Sequence, residues 1–231
     1  MYLDQATIED RLKSFTPDNY LYVYGIMKGI ALGVGAIIVL PFLDDLPTLL
    51  PRLSLWLASI AVLMVSHTTA ARGILLTSFR YSWLDTLLPL AIGIVECLLF
   101  TILQPSKESP DLWQHWYFLM AAHMFLVVLL VLNRLTQTRE EDFDPVLHPL
   151  VNRYRSWMKW DILGAGVLGI CTVAIGIAIN VILLPQWPRV VWWQFIVGTL
   201  LVFVMAFVVA KAESERREII EFIRALAVAT P

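Results

Sequence analysis

Glu96 is the one charged residue in LPLAIGIVECLLFTIL, residues 88–103. A carboxylate facing hydrocarbon there costs about 2.5 kcal/mol or more, so it must be protonated, paired or hydrated. Twenty-seven residues later, LMAAHMFLV (119–127) carries a single imidazole, His123. Asp85 precedes Glu96 by 11 residues, almost three helical turns, so both carboxylates project from nearly the same face of a helix. Carboxylates and imidazoles along a hydrated route inside a bilayer exchange protons or cations. Asp85, Glu96 and His123 are therefore the candidate transport pathway, Asp85 low and the other two high. The competing expectation is a buried ion pair or hydrogen bond that sets helix register and conducts nothing.

Lys28, together with His67, Thr68 and the neighbouring Thr69, falls in the half that also holds Asp85, and is expected to form a secondary polar cluster towards the cytoplasm. Gly25, Gly29 and Gly33 recur at four-residue spacing, a stripe without side chains along which another helix can approach closely. Thr172, Gly176 and Asn180 make a comparable small and polar stripe. The partner helix for the glycine stripe belongs either to the same chain, the favoured expectation because six helices must pack together, or to a neighbouring copy.

These residues need helices that hold them at matching depth. Of 231 residues, 58% are hydrophobic and 16% charged, and the mean hydropathy is +0.71, outside the range of soluble domains. A bilayer core about 30 Å thick takes roughly 20 helical residues to cross. Six segments qualify, near 20–43, 53–71, 83–104, 113–133, 161–184 and 191–211. They are separated by turn and charge chemistry such as DDLPTLLPR, QPSKESPD and PQWPR. The fold class expected is an all-α polytopic integral membrane protein with six transmembrane helices and both termini cytoplasmic.

The orientation follows from where the positive charges lie. Thirteen Lys and Arg residues fall in the even-numbered loops and both tails, against Arg52, Lys107 and Arg189 in the odd-numbered loops, the asymmetry of a chain with its termini inside. With about 1.5 Å of rise per residue, Glu96 lies roughly 12 Å inside the outer end of its helix and His123 roughly 15 Å inside the same surface. The two share a depth on consecutive antiparallel helices, which predicts a Glu96–His123 contact.

Residues 1–19 form a cytoplasmic segment with Asp4, Glu9, Asp10, Arg11 and Lys13 and no apolar core, which argues against a removable signal peptide. Residues 20–211 form the membrane domain. Its cytoplasmic loop, 134–160, starts acidic and ends with Arg153, Arg155, Trp157, Lys159 and Trp160, either a segment lying on anionic headgroups or an ordinary topology signal. Residues 212–231 form a cytoplasmic C-terminal helix. Its Ile219, Ile220, Phe222, Ile223 and Leu226 make an apolar stripe that needs a cover: the loop, the membrane surface or the tails of other subunits.

Several chemistries are excluded. Cys97 and Cys171 show no CxxC spacing, so neither a disulfide framework nor a thiolate metal site is expected. HExxH, GxSxG and Gly-Lys phosphate-loop motifs are missing from the sequence, which leaves no catalytic residue, metal site or cofactor to assign and places an enzyme third among the readings. Haem would need two facing histidines, and His67 and His123 differ in depth. The pattern predicts a small channel or transporter of the inner or plasma membrane, multi-pass and homo-oligomeric, moving protons or other small ions. The alternative is a non-catalytic membrane subunit or effector binding a protein partner at its loop or C-terminal helix. The lipid bilayer is a partner in both, and nucleic acid in neither.

Overall fold

A computed structural model describes residues 19–39, 46–76, 83–103, 111–179, 181 and 189–229. Its elements are six α-helices: α1 Asn19–Val39, α2 Leu46–Leu75, α3 Leu84–Thr101, α4 Asp111–Gln137, α5 His148–Ala178 and α6 Arg189–Ala229. Two short 3-10 turns, Glu140–Asp142 and Pro145–Leu147, join α4 to α5. The stretches of α2, α4, α5 and α6 are long and apolar enough to cross a membrane, while the apolar parts of α1 (Lys28–Ile37) and α3 (Leu87–Thr101) are shorter.

Helix lengths follow from where the backbone is interrupted. After Pro149 the run LVNRYRSWMKWDIL contains no glycine or proline, so α5 continues unbroken from the connection after α4 into its apolar half. The predicted loop 134–160 thereby shrinks to about ten residues between Gln137 and His148. Asp144 starts the second turn by accepting a hydrogen bond from the Val146 amide at 3.0 Å, with Pro145 at the first position. Likewise KAESERREIIEFIRALAVA lacks a breaker, and α6 runs 41 residues, about 60 Å and twice the thickness of a hydrocarbon core.

The C-terminal stripe is covered by this chain itself. Ile219 and Ile223 are buried against Phe143, Leu147, Leu150 and Val151, and Arg153 pairs with Glu218 across the same contact. A second apolar core lies at the other end of the bundle, around Leu55, Val62, Leu99, Phe100, Trp116 and Met120.

Side-chain register gives the helix directions. On α2 and α6, Ser54 meets Gln194 and Arg72 meets Glu215, so the two run parallel. α1 and α3 are parallel as well, with Lys28 against Glu96 and Gly35 against Phe100. α4 and α5 are antiparallel, Phe118 packing on Gly176 and Phe125 on Gly169. The broadest pairings are α4 with α5 and α2 with α6, followed by α1 with α3 and α3 with α4, whereas α2 meets α1 and α3 along narrower seams. The molecule is thus a pair, α2 and α6, set against a group of four.

Glycine placement corrects one expectation. A Cβ added at Gly25, Gly29 or Gly33 would meet nothing within 4 Å, and all three are exposed, so no helix among the described residues packs on that stripe. α1 turns a different face inward, the one carrying Lys28, Ala31 and Gly35, where Lys28 meets Ser66 and Glu96. The close approach is at Gly35, where a Cβ would come within 2.6 Å of Phe100 and 2.9 Å of the Trp56 indole nitrogen. In the other small-residue stripe, Thr172 and Gly176 are buried, and Asn180 lies outside the described residues.

Candidate functional site

Four helices converge on one carboxylate oxygen. Glu96 of α3 and His123 of α4 have side chains 1% and 0% exposed, with His123 Nε2 at 3.1 Å from Glu96 Oε1. The Ser66 hydroxyl of α2 donates to the same oxygen at 2.7 Å, with the Leu63 carbonyl at 3.1 Å as its other acceptor. The Lys28 ammonium of α1 donates to Glu96 Oε1 and to Ser66 Oγ. Glu96 Oε2 and His123 Nδ1 are buried and have no hydrogen-bond partner among the described residues. An ammonium, a hydroxyl and an imidazole all converge on Oε1, which offsets the cost of burying that charge.

This cluster is the middle of three polar levels strung along α2. Towards the first residues of α2, α4 and α6, Trp116 Nε1 donates to Ser59 Oγ at 3.2 Å and Tyr117 donates to Gln194 Oε1 at 2.7 Å. The Trp116 and Tyr117 rings meet edge to face at 5.2 Å, and Trp56 Nε1 donates to the Gly35 carbonyl at 2.9 Å. At the other end, Arg72 pairs with Asp161 of α5 and Glu215 of α6, and its guanidinium lies 5.8 Å over the Tyr154 ring. Lys211 joins them at 3.7 Å from Asp161 and 3.4 Å from Glu215. From Ser54 to Arg72 the ladder covers 18 residues, about 27 Å of helix. Most of its rungs tie α2 or α6 to the other four helices.

The expected Glu96–His123 contact is present. Lys28 departs from its expected place, joining Glu96 instead of a separate cytoplasmic cluster. α1 and α3 start level and run in parallel, so Lys28, nine residues into α1, and Glu96, 12 residues into α3, differ in depth by only about 4.5 Å. A lysine stem bridges that gap. Of the expected secondary cluster, His67 is exposed, one residue and about 100° around the helix from the buried Ser66. Thr68 donates to its own helix, at 3.0 Å from both the Met64 and Val65 carbonyls. Asp85 lies in the first turn of α3, and its side chain is outside the described residues.

Sequence reasoning missed Ser66 as the fourth member and Arg72, Asp161 and Glu215 as a network. The signal for Ser66 was its place in VLMVSHTTA, level with Glu96, and for Arg72 its helix end facing two carboxylates. Among the described residues no group of three or more His, Cys, Asp or Glu side chains is placed to hold a metal ion. Compared with protein families, characterised proteins and solved structures, the chain matches none of them.

Proposed function

We propose that the protein is a six-pass carrier for protons or other small cations, with both termini cytoplasmic and Glu96 as its exchange group. The observation that carries this reading is the buried Lys28–Ser66–Glu96–His123 cluster on the seam between the α2–α6 pair and the other helices. The alternating helix directions and the thirteen-to-three distribution of positive charge support the topology. Only 17% and 22% of the apolar windows of α5 and α6 are buried, so lipid or a second copy of the chain must cover them.

A carrier differs from a pore in holding its site closed to one side at a time. Here the aromatic layer at Trp116 and Tyr117 covers the cluster on one side and the Arg72 network on the other. A proton arriving at Glu96, or a cation displacing the Lys28 ammonium, cancels the attraction that ties α1 and α2 to α3. Occupancy is thereby coupled to whether the seam stays shut, the differential interaction that any such switch requires.

Reconstituted in liposomes, the wild type is expected to dissipate a pH gradient or move a small cation, and Glu96→Gln to lower that flux at least tenfold. Lys28→Met/Glu96→Gln, which removes both buried charges, guards against misfolding and should be equally silent. A wild type with no flux overturns the proposal. The same bonds also suit a non-catalytic subunit whose cluster only holds helices together, a reading favoured by its closure on both sides. A silent wild type that co-purifies with a protein partner supports that reading.

A further inference from the structure

Beside Arg72, at the same end of the bundle as its ion network, lies a cavity of about 20 Å³, bounded by Thr69, Ala70 and Arg72 of α2, Arg134 of α4, and Tyr154 and Met158 of α5. One water needs roughly 10–15 Å³ on the same measure, together with two to four polar partners. The Arg72 side chain is 2% exposed, and its two terminal nitrogens are committed to Glu215 and Asp161. Its Nε–H is buried without an acceptor among the described residues. Buried donors are rarely left in that condition, and internal water is the usual acceptor where space allows. Thr69 and Tyr154, each with a hydroxyl, line the same space.

We infer that this cavity is a hydration site holding a resident water that accepts from Arg72 Nε–H and hydrogen-bonds to the Thr69 hydroxyl. The lining offers two guanidiniums and no carboxylate, a set that seats a neutral water and repels a metal cation. Thr69 follows Ser66 by three residues, so the lining residue nearest the exchange cluster on α2 is about 4.5 Å further along that helix than Ser66. Resting on the carrier reading, this water is the cytoplasmic stop of the route, and what passes it is a proton relayed through hydrogen bonds.

Hydroxyl-radical footprinting of the reconstituted full chain tests the site without reference to transport. Radicals formed from a trapped water oxidise the adjacent side chain even where bulk solvent does not reach. Met158, Met120 and Met205 are 1%, 0% and 1% exposed, so bulk access is alike and the cavity distinguishes the first. Met158 is expected to oxidise at least tenfold faster than the other two. Ala70→Val, which fills the space, and Thr69→Val, which removes the hydroxyl at nearly constant volume, should each bring Met158 down to their rate. A wild-type Met158 as slow as Met120 and Met205 overturns the site. If Met158 is labelled but Thr69→Val leaves proton flux within twofold of wild type, the relay is overturned and the water is structural. If the wild type carries no flux, the carrier reading and the relay fail together, and the labelling still decides the hydration site.

Discussion

At the scale of residues, the Glu96 site depends on charges whose desolvation is offset only while they remain paired. Removing one partner of a buried ion pair leaves the other uncompensated, a loss of about 3–5 kcal/mol, whereas removing both is often neutral. Lys28→Met is therefore expected to destabilise the protein by about that amount, and Lys28→Met/Glu96→Gln to recover most of it, with Ser66 and His123 still bonding to a neutral amide. Thermal unfolding in detergent reads the comparison. A double variant as unstable as the sum of the two singles would mean that the ammonium and carboxylate are not coupled. Glu96 and His123 were legible as a pair because they stand at one depth on consecutive helices, which helix rise alone reveals. Lys28 was not, because its partner is on a helix two elements away and sequence does not say that α1 and α3 are neighbours. Ser66 was hidden for a different reason: a serine inside an apolar helix normally bonds its own backbone, as Thr68 does.

At the scale of elements, glycines mark where helices approach, but spacing alone does not tell which ones. Gly25, Gly29 and Gly33 carry the familiar motif, yet a Cβ at any of them would meet nothing within 4 Å, whereas Gly35 and Gly198, outside that spacing, face Phe100 and Ser54 across tight contacts. Overpacking such a contact costs about 1–3 kcal/mol. Gly35→Ala should lower the melting temperature in detergent accordingly, while Gly29→Ala, which gains helix propensity and meets no neighbour, should leave stability unchanged or raise it by up to about 1 kcal/mol. Equal losses from the two would refute the assignment of the inward face of α1. Helix existence was readable from apolar length, and helix ends from breakers. The continuity of α5 and α6 through their charge-rich stretches was readable too, from the lack of glycine or proline in RYRSWMKWD and ESERREIIEFIR. Charge-rich segments beside a membrane resemble loops until their breakers are counted.

At the scale of the whole molecule, the α2–α6 pair is held to the other helices at three heights, and the outer and inner ties differ in chemistry. The outer tie is a set of neutral hydrogen bonds under aromatic rings. The inner tie is an ion network on Arg72. If the seam opens at one end at a time, weakening one tie should expose the central cluster to that side alone. Ser66→Cys places a thiol of similar size at the centre, where Ser66 is 3% exposed, and its reaction with a membrane-impermeant reagent reports access. Adding Arg72→Met is expected to raise the rate at least tenfold for reagent on the cytoplasmic side and leave the other side unchanged. Tyr117→Phe, which breaks the bond to Gln194, should do the reverse by a smaller factor, since a neutral bond contributes about 1 kcal/mol against several for a buried charged one. A thiol that stays protected from both sides in both variants would mean that the two helix groups do not separate. The three levels would then be rungs of a static bundle, which is what the subunit reading requires.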